Sequence, residues 1–347
     1  MKTTIKDVAE LAGVSFKTVS RVVNKEPNVS EETVEKVQAA IRQLNYRPNP
    51  AARNLASDKS YSIAYVYDNP NAYYVIDMQK GLLRECRNND YDLLIHPCEA
   101  SNEDVVSDIL QMATRSNLAG LILSPPLSEM PELLNQIVHS GLPFVGIVSG
   151  VAPFGIQGKW LCIDDFQAAC DIVNHLISQG HKRIGFISGN RNHRSTLERE
   201  RGYLDALENY RLDTSAELRI DGEYNFESGV SAMKQFLALK NPPTAVFACN
   251  DELAAGALLE ARLNNIQVPQ DMAIAGFENS PFSRQTSPAI TTAEQDTVAI
   301  ARKAAGLLID TISQSKRHGK PVFEETDSIS YCPELVIRDS TTKKPGN

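Results

Sequence analysis

Long apolar segments are missing from this sequence of 347 residues. No apolar run approaches the ~20 residues that a helix needs to span a bilayer. The first residues, MKTTIKDVAEL, lack the apolar stretch of a secretory signal. We therefore expect a protein that stays in the cytoplasm and does not bind a membrane.

Cysteine is scarce and scattered along the chain. The six cysteines form no Cys-x-x-Cys pair, and no histidine lies at zinc-finger spacing from them. This spacing predicts reduced, mostly buried thiols and no metal site.

Catalytic signatures are missing as well. The sequence contains no Gly-x-Gly-x-x-Gly, Walker A, His-Glu-x-x-His or Gly-x-Ser-x-Gly motif. A single Ser-x-x-Lys match at residues 231–234 lacks its companion motifs and falls in a stretch typical of an amphipathic helix. The sequence therefore predicts a protein that is not an enzyme and needs no cofactor.

The composition that remains is that of a soluble globular chain, with 42% hydrophobic, 22% charged and 7% aromatic residues. Its length suits two or three domains. The net charge of −8 is unevenly distributed, because the first 60 residues hold ten Lys and Arg against seven Asp and Glu, which leaves −11 for the rest. A small basic head on a larger acidic body predicts an anionic partner for the head alone.

Three short helices are predicted within residues 1–46. Thr4 and Asp7 form a capping signal for the first helix, Gly13 ends it, and Ser15 and Ser30 can cap the next two. Two helices joined by a tight turn that contains glycine form a helix-turn-helix unit. From spacing alone, a helical bundle whose polar face is merely solvated remains an alternative.

The segments IKDVAELAGVSFKTVSRVVN (5–24) and YRPNPAARNLA (46–56) resemble the start of the LacI/GalR family of bacterial transcriptional repressors. The resemblance implies that residues 1–46 bind operator DNA and that residues 16–23 form the recognition helix. It implies DNA contacts from five side chains of this helix: Phe16, Lys17, Thr18, Ser20 and Arg21. Their chemistry agrees, since an arginine can bind guanine O6 and N7 together and an aromatic ring can pack on a thymine methyl group.

Residues 47–60 are predicted to form a hinge and linker. Such a short helix does not form alone, because helix nucleation is costly. The resemblance implies that it folds in the minor groove beside the hinge of a dimer mate, where Leu55 wedges between base pairs. The DNA-binding residues implied for this segment are Asn49, Ala52, Arg53 and Leu55. The alternative for Leu55 is packing against the protein's own core.

The remaining chain alternates short β-branched runs with longer amphipathic stretches, in two successive series. This pattern predicts an α/β fold with two doubly wound parallel sheets and a ligand cleft at the carboxyl ends of their strands. The family resemblance implies a two-lobed, periplasmic-binding-protein-like core over residues 61–340, with residues 341–347 as a tail. The implied N-lobe comprises 61–161 and 292–321, the C-lobe comprises 162–290 and 326–340, and the chain crosses between them near 160–165, 290–293 and 321–325.

Candidate effector-binding residues follow the predicted strands or match family positions. They are Tyr73, Tyr74, Asp165, His193, Arg199, Tyr224, Asn250 and Asp251. Helix capping is the alternative for Asp251, and a surface ion-pair cluster is the alternative for Arg199. The chain departs from the family at Val148-Ser149, where Asp-Arg is common, and at Glu278, where Asp is usual.

A carboxylate opposite an arginine suits a neutral polyhydroxylated ligand, so we expect a sugar effector. A purine or nucleoside corepressor is the alternative, because aromatic faces stack on purines as well as on sugars. A solute-binding protein is the rival from another class, and the basic head counts against it. We also expect a homodimer on a pseudo-palindromic operator, without the C-terminal tetramerising coil of some relatives, since RDSTTKKPGN contains no leucine heptads.

Overall fold

The computed structural model describes residues 3–23, 29–46, 60–69, 71–318 and 327–342, and the chain divides into two compact units, 1–61 and 62–347. The predicted hinge contacts Asn49, Ala52, Arg53 and Leu55 lie outside the described residues. No helix in the described ranges is both long enough and apolar enough to cross a membrane.

The smaller unit contains the three predicted helices: α1 (Ile5–Ala12), α2 (Phe16–Val23) and α3 (Glu31–Gln43). Asp7 accepts a hydrogen bond from the Thr4 backbone N–H at 2.7 Å, which fixes the start of α1. Gly13 ends α1 in the left-handed conformation with φ +66°. Val8, Val19 and Val37, one from each helix, are fully buried and form the centre of a small core.

The larger unit is an α/β structure. Its helices are α4 (Ala72–Asn88), α5 (Val105–Arg115), α6 (Pro131–Ser140), α7 (Asp165–Ser178), α8 (Arg194–Asn209), α9 (Phe226–Leu237), α10 (Asp251–Leu263), α11 (Pro281–Gln285) and α12 (Thr297–His318). Its strands are β1 (Ser62–Tyr67), β2 (Asp92–Pro97), β3 (Gly120–Leu123), β4 (Phe144–Ser149), β5 (Lys159–Ile163), β6 (Ile184–Ile187), β7 (Arg219–Ile220), β8 (Ala245–Ala248), β9 (Ala273–Ala275), β10 (Thr292–Glu294), β11 (Asp327–Tyr331) and β12 (Glu334–Val336).

Two parallel sheets define two lobes. The first sheet has the strand order β11-β5-β4-β3-β1-β2, and the second has the order β7-β6-β8-β9. In each sheet the first strand along the chain, β1 or β6, is an inner strand, and later strands are added on both sides of it, as in doubly wound sheets. The predicted fold class is therefore confirmed. A short antiparallel pair, β10 with β12, lies in the connecting region.

The third crossing between the lobes differs from the prediction. β11 pairs in parallel with β5, with Ile329 opposite Leu161, so residues 327–331 belong to the first sheet. The assignment of this segment to the C-lobe was wrong, because its hydrogen-bonding partner is a strand more than 160 residues earlier in the chain. The chain therefore crosses after Tyr331, and not before residue 326.

The first lobe packs around the only tryptophan of the sequence. Trp160 is fully buried, and its ring meets the edge of Phe144 at a centroid distance of 5.5 Å. Gly146 pairs with Trp160 across β4 and β5, and a Cβ atom at Gly146 would lie 2.3 Å from the indole ring. Only glycine therefore leaves room for this ring.

Asp251 anchors the second crossing to the C-lobe. It is fully buried at the start of α10, where Oδ1 accepts a hydrogen bond from Thr292 Oγ1 at 2.7 Å and Oδ2 accepts one from the Ser280 N–H at 2.7 Å. Burial raises the pKa of Asp251 to about 7. The carboxyl group thus joins α10 to the crossing strand β10 and to the loop that follows β9.

We expect Gly146→Ala to destabilise the protein by about 1–3 kcal/mol, since the new methyl group must displace the buried indole. Chemical unfolding followed by Trp160 fluorescence measures this change. Gly306→Ala is the matched control, because Gly306 lies in α12 with no atom within 4 Å of an added Cβ. That control should be neutral or stabilising by up to ~1 kcal/mol, and an equal loss in both variants would contradict the packing argument.

We also expect Asp251 to make stability fall as the pH rises from about 4 to about 7. In this window the native state keeps a proton that the unfolded state has released, so each pH unit costs up to ~1.4 kcal/mol. The measurement is the difference in unfolding free energy between wild type and Asp251→Asn across that range. A difference that is independent of pH would show that Asp251 titrates normally.

Candidate functional site

The recognition helix predicted from the sequence is α2. Its side chains Phe16, Lys17 and Arg21 are exposed, with Phe16 at 55%, while Thr18 and Ser20 are half-buried. The Thr18 hydroxyl lies 3.0 Å from Ser15 Oγ, which also accepts a hydrogen bond from the Thr18 N–H. The Ser15 side chain therefore stabilises the start of α2. The cationic and aromatic side chains of this helix are exposed to solvent.

A cavity lies between the two lobes of the larger unit. Its walls are formed at the carboxyl ends of β1, β4, β5 and β9 and at the first residues of α4, α7 and α8, where ligands of such sheets bind. Polar or ionisable side chains from both lobes line it: Asn69, Asn71, Tyr74, Ser149, Asp165, His193, Ser195, Arg199, Tyr224, Glu278 and Gln295.

A buried ion pair lies at the centre of this wall. Arg199 Nε is 2.8 Å from Asp165 Oδ1, and the two residues are 4% and 2% exposed. Arg199 Nη1 also donates to the Cys249 carbonyl at 2.6 Å, and the guanidinium lies 3.7 Å from the centroid of the Phe277 ring. Burial is the largest single influence and opposes the charge on Arg199, but Asp165, Cys249, Tyr224 and Glu278 together outweigh it, so the pKa of the guanidinium is raised. Arg199 is therefore not part of a surface ion-pair cluster.

Ser149 connects the first lobe to this ion pair. Its Oγ donates to Asp165 Oδ2 at 2.6 Å, and its backbone N–H donates to Glu129 Oε1 at 2.9 Å. Burial raises the pKa of Glu129 to about 7. Both oxygens of Asp165 are thus bound, one by each lobe.

Asn71 and Glu278 form a second connection across the cleft. Asn71 Oδ1 accepts hydrogen bonds from the first turn of α4, and its Nδ2 donates to Glu278 Oε2. The other carboxylate oxygen, Oε1, lies 3.9 Å from Arg199 Nη1, which is beyond hydrogen-bonding distance. Burial raises the pKa of Glu278 to about 8, although the charge of Arg199 acts in the opposite direction.

Tyr224 and His193 form the aromatic side of the cavity. The Tyr224 hydroxyl lies 2.5 Å from Thr196 Oγ1, and its ring meets His193 edge-on at a centroid distance of 5.5 Å. Burial lowers the pKa of His193, which favours the neutral imidazole with one donor and one acceptor.

The cavity brings together five of the eight predicted effector residues: Tyr74, Asp165, His193, Arg199 and Tyr224. The other three do not line it. Tyr73 packs edge-on against Phe282 at 5.7 Å, and Asn250 caps α10 by accepting from the Leu253 N–H at 2.9 Å. Asp251 is occupied by Ser280 and Thr292, so neither the ligand contact nor the helix cap proposed for it matches its hydrogen bonds.

Several cavity residues were not predicted as ligand contacts, notably Asn71, Ser149, Ser195 and Glu278. Two of them stood out in the sequence only as departures from the family pattern, in FVGIVSG and GFENSPF. Both segments end a strand, which is the signal that could have identified them.

Comparisons with known proteins agree with this architecture. Residues 4–49 match the family of bacterial regulatory proteins, lacI family, and residues 173–341 match a periplasmic binding protein-like domain. The chain is 32% identical over 342 residues to the HTH-type transcriptional repressor PurR of Haemophilus influenzae (strain PittEE), covering 97% of this chain and 98% of that protein. It is 30% identical over 345 residues to the probable HTH-type transcriptional repressor ExuR of Bacillus subtilis (strain 168), with 98% of each chain covered.

Solved structures show the same fold. A complex of the transcriptional regulator CelR with cellobiose superposes with a TM-score of 0.71 at 26% identity, over 98% of this chain and 100% of the other. The lac repressor dimer bound to operator and the anti-inducer ONPF gives 0.78 at 24% identity, over 99% and 100%. These relatives are transcriptional regulators and not enzymes, and the chain belongs to the LacI family of bacterial regulatory proteins.

Proposed function

We propose that this LacI-family repressor controls genes for sugar use and that a small carbohydrate in the interlobe cavity sets its affinity for operator DNA. The supporting observation is the ring of neutral hydrogen-bonding side chains around a charge-paired arginine. Amide and hydroxyl groups both donate and accept, as sugar hydroxyls do. The CelR structure, which contains cellobiose, supports a carbohydrate in this fold.

An anionic ligand is the poorer match to this cavity. Asp165 already neutralises Arg199, and Glu278 adds a second carboxyl group to the wall. A sugar acid would therefore find no unpaired cation in the wall to balance its own negative charge in a partly desolvated site.

A purine or nucleoside is the second candidate. Tyr74 and Tyr224 offer aromatic faces on which a purine could stack, and a relative named PurR, for purine, is similar over 97% of this chain. The number of polar groups favours the sugar, since a purine has fewer donors and acceptors than the cavity presents.

We further propose a homodimer that binds a pseudo-palindromic operator in the cytoplasm. Each α2 reads one half-site in the major groove, and Asn49, Ala52, Arg53 and Leu55 contact the minor groove. The ligand changes DNA affinity by binding one closure of the lobes better than the other, which allows about 1–3 kcal/mol of coupling. The hydrogen bonds that span the cleft, Ser149 with Asp165 and Asn71 with Glu278, are the contacts it would alter. We propose that the sugar releases the operator.

A thermal-shift screen of the full chain against neutral sugars, sugar acids, purines and nucleosides tests the ligand class. A ligand at about 100 times its Kd should stabilise the protein by ~2.7 kcal/mol. Operator binding is then measured with and without each hit, and light scattering should give about twice the chain mass of 38.2 kDa. Stabilisation by purines alone would overturn the carbohydrate proposal.

Tyr74→Ala should weaken ligand binding about tenfold, since it removes an aromatic face worth roughly 1 kcal/mol beyond its buried area. Calorimetric titration with the hit from the screen measures the loss. Tyr73→Ala is the matched control, because the neighbouring ring packs on Phe282 outside the cavity. Operator affinity without ligand should be unchanged in both variants. Equal loss of ligand binding in both would place the site elsewhere.

Arg21→Ala should cost about 1–3 kcal/mol per half-site and relax the preference at one base pair, because the arginine reads a base edge. Binding to a set of single-base operator variants measures this preference. Arg42→Ala, which removes the same charge from an exposed position on α3, should change affinity equally on all sequences. If Arg21→Ala also acted equally on every sequence, its base-reading role would be lost.

A further inference from the structure

Acidic groups outnumber basic groups around the interlobe cavity. Asp165, Glu278 and Arg199 are the residues with formal charge that line it, so its wall holds two carboxyl groups and one guanidinium. Two further carboxyl groups lie just behind the wall. Glu129 accepts a hydrogen bond from the backbone N–H of Ser149, whose hydroxyl donates to Asp165, and Asp251 accepts one from the backbone of the loop that carries Glu278.

Two other arginines near these acids have different partners. Arg194 donates to the Val151 carbonyl at 3.0 Å and lies 3.8 Å from Glu198. Arg338 donates to Asn279 Oδ1 at 2.5 Å. Neither arginine lines the cavity, so neither balances the second carboxyl group of its wall.

Glu278 is the carboxyl group of the wall without a cation in direct contact. Arg199 is 2.8 Å from Asp165 but 3.9 Å from Glu278 Oε1, and Glu278 Oε2 accepts from a neutral amide, that of Asn71. The Glu278 side chain remains 19% exposed. Among the described contacts, Oε1 therefore has the capacity to accept a hydrogen bond from a ligand.

The backbone at Glu278 has φ +98°, and Asn279 follows with φ +53°. A positive φ at a residue with a long side chain costs free energy and is often found where a functional group must be held in place. Glycine would relieve this cost, yet the position holds a carboxylate that points to the same cavity as Arg199. The backbone geometry thus gives a second reason, independent of charge, to assign Glu278 a ligand.

We propose that the ligand carries a protonated amine, as an amino sugar does, and that this ammonium group binds Glu278 Oε1. This inference rests on the proposed carbohydrate function and narrows it. The ammonium supplies a cation for the second carboxyl group of the wall, and one of its N–H groups donates to Oε1 in a charge-assisted hydrogen bond. Burial raises the pKa of Glu278 to about 8, so the ammonium must displace the carboxyl proton, and an adjacent positive charge favours that ionisation.

Calorimetric titration of the full chain at about pH 6.5 tests the proposal with three hexoses: glucose, galactose and mannose. Each hexose is titrated in three forms, namely the parent sugar, the 2-amino sugar and the N-acetyl derivative of that amino sugar. The amine is protonated at this pH, and N-acetylation keeps its position while removing its charge. We expect one amino sugar to bind at least tenfold more tightly than both of its neutral partners. Glu278→Gln should reduce that preference to within about threefold. Glu294→Gln, the matched control, removes a carboxyl group near the cleft but outside the cavity wall and should keep it.

The outcomes separate the two proposals. A parent or N-acetyl sugar that binds wild type as tightly as its amino partner overturns the ammonium site and leaves the carbohydrate function intact. Binding of purines with no binding of any hexose derivative overturns both, as does a complete absence of binding. If the Glu278→Gln variant kept the preference for the amino sugar, the ammonium group would have to bind another residue. Because the comparison of the three probes uses wild-type protein, it decides the matter even if a variant does not fold.

Discussion

The ion pair between Arg199 and Asp165 sets the conditions that the rest of the core must meet. Removing two charges from water costs several kcal/mol per ion unless every polar atom is bound, so a buried pair is sustained only by complete surroundings. Those surroundings come from distant parts of the chain: Ser149 from the first lobe, the Cys249 carbonyl and the Phe277 ring from the second. Residues of both lobes therefore stabilise the same buried ion pair, so the two sides of the cleft depend on each other.

Much of this architecture is visible in the sequence because its signals are local. The β1 strand coincides with SIAYVY, and α1 ends at the glycine that the pattern indicates. In α2, Val19 is buried as its apolar stripe predicts, while Phe16, Lys17 and Arg21, which are predicted to contact DNA, are exposed. Five cavity residues could also be predicted, since each lies close to the end of a recognisable strand or at a position that matches the family. Periodicity and capping report on neighbours in sequence, and these features depend on such neighbours.

The features that escaped prediction depend on partners far away in sequence. The segment DSISY is short and polar, and only its pairing with β5 makes it a strand of the first sheet. Asp251 has the appearance of a helix cap, but its acceptors are used by Ser280 and Thr292, 29 and 41 residues later. The positive φ of Glu278 is set by the loop around it, and no local pattern marks a glutamate for that conformation.

The position of β11 has a consequence for the order in which the lobes can be completed during synthesis. All four strands of the second sheet lie before residue 276, whereas the first sheet gains its outer strand only at residues 327–331. On the ribosome, the lobe that begins first is thus the lobe whose sheet is finished last. A chain terminated before residue 327 would retain every residue of 61–161 and still leave the edge of β5 without its hydrogen-bonding partner.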